Sequence, residues 1–295
     1  MLDFIAACNA RAELQIPNFR QAIAGRKPSI FDDIFFATRT DFPHFGYVTC
    51  RNSHADTFYM LDNNDDAVAK HWYWYGVDGY EQASLREWSR RAKTAQVVFD
   101  IGSHTGAFSL VAARSNPAIT AIRAFEPTAR AYSRLVENLI ANALLGQVRP
   151  ERLAVSNKSG RLDFNVFDDL YQISTGSSYK TEHTQFTVRS HETCEATTID
   201  AYIRDNDLVP DLVKIDVEGA EIDALEGAAE LIARRRTMFL IEVTPLSIDH
   251  VTKLFGGYSV TVVDDIEDRV VSYDGQLIEG FVNLLIDPQN GFRPT

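Results

Sequence analysis

From residue 97 onward, short apolar runs alternate with helical repeats, and that alternation restricts the chain to a mostly parallel sheet covered by helices on both faces. The first run, VVFDI (97–101), ends at an acid and a glycine turn before a helix carrying Phe108, Val111 and Ala112. The second, IRAFE (122–126), leads into Tyr132, Leu135, Val136, Leu139, Ile140 and Ala143 at helical spacing, closed near Gly146. RLAVS (152–156) reads as a third strand. Polar, Ser/Thr-rich sequence over 158–195 then breaks the alternation, which predicts an inserted hairpin with a mobile stretch around 172–184. A helix at 197–206 precedes the fourth strand, DLVKID (211–216), and a long helix with Ile222, Leu225, Ala229 and Ile232 buried. MFLIEV (238–243), SVTVV (259–263) and VNLLI (282–286) complete a seven-stranded sheet, with Asp274-Gly275 as a hairpin turn between the last two. This α/β core is expected over 96–290, and residues 1–95 read as an irregular extension packed against it.

Composition narrows the function. The 29 basic and 41 acidic residues leave a net charge of −12, which repels a phosphate backbone and excludes nucleic acid as the main partner. The Arg run at 234–236 complements a helix C-terminus. Three widely spaced cysteines propose neither a disulfide framework nor a zinc site. No run of about 18 apolar residues occurs, so no membrane span is expected and the protein reads as cytoplasmic.

In an open parallel sheet, ligands bind beyond the carboxyl ends of the strands, where Asp100, Gly102 and Gly106 fall. The two glycines let backbone approach a ligand closely. Glu126, at the end of the second strand, has the chemistry to accept hydrogen bonds from ribose hydroxyls. A dinucleotide site needs a central glycine in this turn, and His104 stands there instead. An acid before the loop suits an amino group and a sulfonium better than phosphates, which points to S-adenosylmethionine. Asp100, Gly102, His104 and Gly106 would hold its methionine end and Glu126 its ribose, with Val155 and Ser156 beside the adenine.

A second constellation is KIDVEGAE (214–221). Asp216 and Glu218 are candidates to take the proton of an acceptor hydroxyl or to orient it, whereas Glu221 reads as a helix-dipole complement and Lys214 as a supporting ion-pair partner of Asp216. Glu242 ends the fifth strand and is a candidate substrate-binding residue. A magnesium ion between Asp216, Glu218 and Glu242 is the minority alternative to a site without metal. His183 and His191 are further candidate bases, and the inserted stretch is a candidate lid. The aromatic run His71, Trp72, Tyr73, Trp74, Tyr75 serves either core or subunit packing or a stacking platform for a sugar ring.

On VVFDIGSHTGAFSL, AFEPTARAYSRLVENLIAN, LAVSNKSGRLDF, TTIDAYI, DLVKIDVEGAEIDALEGA and FLIEV, the chain resembles the FkbM family of S-adenosylmethionine-dependent methyltransferases, across roughly residues 95–245. Ser103 and His104 replace the commoner Ala-Asn of that family's loop. The resemblance implies a Rossmann-like class I methyltransferase fold and O-methylation of a saccharide or natural-product hydroxyl. A homo-oligomer is a separate expectation, with the aromatic run as a candidate subunit contact. A nicotinamide-dependent oxidoreductase and a non-catalytic nucleoside-binding module are the competing readings.

Overall fold

A computed structural model describes residues 1–26, 32–167, 172–180 and 187–288. Near the N-terminus, helices Leu2–Ala22 and Asp33–Asp41 precede a hairpin of β1 (Phe45–Asn52) and β2 (Ala55–Asn63), followed by helices Ala67–Tyr75 and Gln82–Ala92. This region is more regular than its sequence pattern implies, because its elements bury their apolar faces on one another and on the core. Phe58, Met60 and Trp72 join Leu110, Leu135 and Val98 in one apolar cluster. Phe19, Phe35 and Trp74 form another. Trp72 and Trp74 are therefore packing residues, which overturns the stacking-platform alternative for them.

The core begins with β3 (Val97–Ile101), β4 (Ala121–Phe125) and β5 (Val148–Glu151). A small side sheet contains β6 (Ala154–Val155), β7 (Gly160–Val166) and β8 (Ser190–Thr197). The core resumes with β9 (Leu212–Ile215), β10 (Met238–Val243), β11 (Tyr258–Asp264), β12 (Arg269–Ser272) and β13 (Val282–Pro288). Its order is β12-β11-β13-β10-β9-β3-β4-β5, with β5, β4, β3, β9 and β10 mutually parallel and β13 antiparallel to β10. This is the Rossmann-like class I arrangement. The order reverses between β3 and β9, which opens a crevice at their carboxyl ends.

Alternation along the strands sorts the core into two layers. Val98 and Ile122 face the cluster that holds Leu135 and Leu139, while Phe99, Ile101 and Phe125 face Tyr202, Leu225 and Leu231.

Several expectations need correction. The sheet has eight strands, because β12 adds an antiparallel edge to β11. The third core strand is Val148–Glu151; Ala154 and Val155 instead pair with Ala196 and Thr197 in the side sheet. Asp274-Gly275 therefore turns between β12 and β13, and the β11–β12 turn lies earlier. Ile140 is exposed, since the helix Ala129–Ala141 is too polar on that side to be covered. The long helix after β9 is split into Glu221–Glu226 and Ala229–Ala233 at Gly227, where a Cβ would lie 2.3 Å from the Ser156 carbonyl oxygen.

Candidate active site

At the crevice, the loop after β3 passes directly over the chain leaving β9. Gly102 has φ +79°, and a Cβ there would lie 1.7 Å from the Asp216 carbonyl oxygen, so only glycine fits. The Gly102 and Ser103 amides both donate to the Phe125 carbonyl, at 3.0 and 2.9 Å, tying this loop to the tip of β4. Gly106 (φ +99°) caps the next helix, and a Cβ there would press on Leu135 Cδ1 at 2.6 Å.

A cavity of about 620 Å³ opens at these strand ends. Of the expected cofactor residues, Gly102, His104 and Glu126 line it, whereas Asp100, Gly106 and Ser156 lie behind its wall. Glu126 accepts from the His104 amide at 3.0 Å and from the Thr128 amide and hydroxyl at 2.9 and 2.6 Å. Its carboxylate is thereby oriented at the tip of β4. Asp100 is fully buried and accepts from Ser109 Oγ at 2.7 Å. Burial raises its pKa, against the pull of Lys214 and Ser109. Ser156 Oγ lies 3.1 Å from the Tyr179 hydroxyl, which donates to Asp223 at 2.7 Å. Val155, Leu153, Phe125 and Phe164 supply apolar wall beside it.

His104 takes a left-handed conformation with φ +48°. Burial holds its imidazole neutral, with the pKa down to about 4, while Asp216 acts in the opposite direction.

Beyond β9 and β10 lies a group of carboxylates. Lys214 Nζ donates to Asp216 Oδ2 at 2.6 Å and sits 4.4 Å from the Phe108 ring centroid. Burial opposes the Lys214 charge, but Asp216, Glu81 and Asp100 outweigh it and hold the pKa above its ordinary value. Glu218 and Glu242 line the same cavity. Burial first, then the Asp216 charge, pushes both carboxyls well above the usual range. Glu221 is turned away, accepting from the Val217 and Gly219 amides at 3.1 and 3.0 Å. The structure thus brings Asp216, Glu218 and Glu242 together. Among the described residues, no group of three His, Cys, Asp or Glu side chains is arranged to hold a metal ion.

His191 sits on β8 opposite Asn165 and does not line the cavity; His183 lies outside the described residues. Residues 172 and 174–177 of the inserted stretch do line it, held by Ile173 N to the Asp65 carbonyl and by a bridge between Ser178 and Asn165.

Sequence reasoning missed Glu81, Asp265 and Asn283, which all line the cavity, as does His71 of the aromatic run. Glu81 precedes helix Gln82–Ala92 with φ +35° and makes no side-chain cap. Burial, then Asp265, raises its pKa to about 8. No spacing in the sequence marks it. Asn283 did leave a signal, as a polar residue inside the apolar run VNLLI.

The three cysteines are free and buried, and no described helix is long and apolar enough to cross a membrane.

The hexuronic acid methyltransferase AglP of Haloferax volcanii is 27% identical over 202 residues, 65% of this chain and 76% of that protein. Methyltransferase sdnD of Sordaria araneosa is 30% identical over 157 residues, 45% of this chain and 60% of its own. A crystal structure of methyltransferase FkbM from Methylobacillus flagellatus is 13% identical with a TM-score of 0.45, covering 94% of this chain and 60% of that one. The family described as "Methyltransferase FkbM domain" matches residues 100–268, from Asp100 at the end of β3 to the turn before β12. With that match spanning more than half of its 295 residues, the chain belongs to the FkbM methyltransferase family and is an enzyme of the methyltransferase class.

Proposed function

We propose that the protein is an S-adenosylmethionine-dependent O-methyltransferase acting on a hydroxyl of a saccharide or a natural-product small molecule. The observation that carries this reading is that Glu126, at the tip of β4, and the carboxylates beyond β9 and β10 line one cavity. The residues fit the cofactor. Glu126 is oriented to meet ribose hydroxyls, and Phe125, Leu153 and Val155 offer an apolar wall for a base. Ser103 Oγ, buried on the cavity wall without a partner among the described residues, offers a polar contact for the amino-acid end. Asp100 acts from behind the loop through Ser109, so its part is to hold the turn in shape.

When bound, this cofactor supplies an electrophilic methyl group on a sulfonium. The protein's own part is to hold the acceptor oxygen in line with that carbon and to receive the hydroxyl proton. Asp216 is anchored by Lys214 and orients the acceptor, while Glu218, beside it, takes the proton. A cationic ligand next to Glu218 and Glu242 pulls both carboxyls back toward the ionised form a base needs. The His104 imidazole, held neutral, adds no positive charge against the sulfonium.

Titration calorimetry with S-adenosylmethionine, S-adenosylhomocysteine and NAD tests the cofactor, and transfer of labelled methyl to a panel of hydroxylated glycosides and metabolites tests the acceptor. Binding of both sulfur compounds and label in an ether-linked methyl group are expected. Binding of NAD with no response to the sulfur compounds would overturn the reading.

A further inference from the structure

The acceptor end of the cavity is rich in carboxyl groups, and part of its wall, with Glu81 and Asn283, comes from outside the family-matched region. The start of helix Gln82–Ala92 is clamped to the sheet edge. Asp265, in the turn after β11, accepts from the Ser84 amide at 2.9 Å and from its hydroxyl, and Asn283 Nδ2 donates to Ser84 Oγ at 3.0 Å. Arg86 pairs with Asp268 at 2.9 Å on the next turn. This clamp carries Glu81 into the cavity, in a left-handed conformation unfavourable for a residue with a side chain.

Asn283 provides an independent sign of a ligand. It is 6% exposed, lines the cavity, and spends its amide nitrogen on Ser84, leaving Oδ1 buried with no partner among the described residues. It lies directly opposite Glu242 in the β10–β13 register. A buried amide oxygen without a donor is costly, so something that donates a hydrogen bond is expected to meet it. Tyr80, Lys214 and Asp265 also face this end: the Tyr80 hydroxyl bonds to Glu81, the Lys214 ammonium pairs with Asp216, and Asp265 accepts from Ser84. Arg39 lines the same cavity, bonded to Gln172 and placed 4.4 Å from the Phe36 ring centroid.

We propose that Glu81, Glu218, Glu242 and Asn283 form an acceptor subsite for a neutral or amino-bearing polyhydroxylated ring, and that Glu81 makes it reject a ring bearing a carboxylate. The proposal rests on the O-methyltransferase reading and deepens it. Neighbouring hydroxyls of such a ring supply several donors to the carboxylates and to Asn283 Oδ1, whereas an anionic substituent meets like charge, with the Lys214 ammonium already paired to Asp216.

The test uses the full chain with S-adenosylhomocysteine bound, its binding first verified by calorimetry so that failure of the cofactor reading is seen separately. Saturation-transfer NMR then ranks methyl glucoside, methyl glucosaminide and the methyl glycoside of glucuronic acid. The first two are expected to bind, with the glucuronoside at least about tenfold weaker, and Glu81→Gln is expected to cut that preference to about threefold or less. In the unmutated protein the preference should also shrink from pH 9 to pH 6, as Glu81, held at about 8, takes up its proton. Glucuronoside binding equal to the glucoside, a preference untouched by both Glu81→Gln and pH, or binding of none of the three overturns the proposal.

Discussion

Gly102 and Asp216 come from strands over a hundred residues apart in sequence, yet their backbones cross with no room for a side chain: a Cβ on Gly102 would lie 1.7 Å from the Asp216 carbonyl oxygen. The crossing holds the β3 loop over the end of β9 and so joins the Glu126 side of the cavity to its carboxylate side. Gly102→Ala meets both this clash and an unfavourable φ of +79°. It should cost about 2–4 kcal/mol of stability and abolish S-adenosylhomocysteine binding, measured by denaturant unfolding and calorimetry. Wild-type stability in that variant would contradict the packing described.

Glu126 accepts hydrogen bonds from the His104 amide and from the Thr128 amide and hydroxyl. Glu126→Ala should weaken S-adenosylhomocysteine binding about tenfold or more, the equivalent of one charge-assisted hydrogen bond. Isothermal titration checks this. An unchanged Kd would remove Glu126 from the cofactor site.

Lys214 is buried at 2% exposure and its ammonium lies 2.6 Å from Asp216, whose side chain is 21% exposed. Replacing it by methionine preserves bulk against Phe108 but leaves Asp216 without its counter-charge. The expected loss is about 2–3 kcal/mol, below that for a fully buried pair because water reaches Asp216. Turnover should fall as well, with cofactor affinity kept within a few-fold. Unfolding curves and a methyl-transfer assay distinguish this from a merely structural lysine, for which activity per folded molecule would be unaltered.

The acidic cavity predicts a particular pH dependence of stability. Glu81 titrates at about 8 in the fold against 4.5 for an ordinary glutamate, so its contribution is fully present below 4.5 and is lost as pH rises through 8. Glu218 and Glu242 act in the same direction. His71 and His104, both held down at about 4 from 6.5, act oppositely, and their contribution is lost as pH falls through 4. Between pH 6.5 and 8 the carboxyls act without that opposition. The Tm of the ligand-free protein should therefore decline across that interval, and decline less in Glu81→Gln. A rising Tm there would contradict the raised carboxyl pKa values.

The two turn motifs were legible because they are local. VVFDIGSHTG and KIDVEGAE each run off a buried parallel strand into a turn, so their residues must emerge at the same sheet edge once the strands are parallel. That reasoning placed Asp216, Glu218, Glu242 and Glu126 at one sheet edge, and all four line the cavity. It misjudged depth. Asp100 and Ser156 belong to the right strand ends but point behind the cavity wall, and period-two alternation does not say how far a side chain reaches past a glycine turn. The strand at RLAVS was displaced because Val148–Glu151 carries only one fully buried position, too weak a pattern to register.

The amino-acid sequence alone determined the parallel core, the glycine turn after its first strand and the two acid-bearing turns, since apolar periodicity and turn chemistry are properties of neighbouring residues. Only the tertiary structure decided that Glu81 enters the cavity beside Glu242 and Asn283. Its position depends on Ser84 finding Asp265 about 180 residues away and on the antiparallel register of β13 against β10. Hydrophobic pattern states which face of an element is buried; the choice of the distant segment that covers it comes from packing and long-range hydrogen bonds.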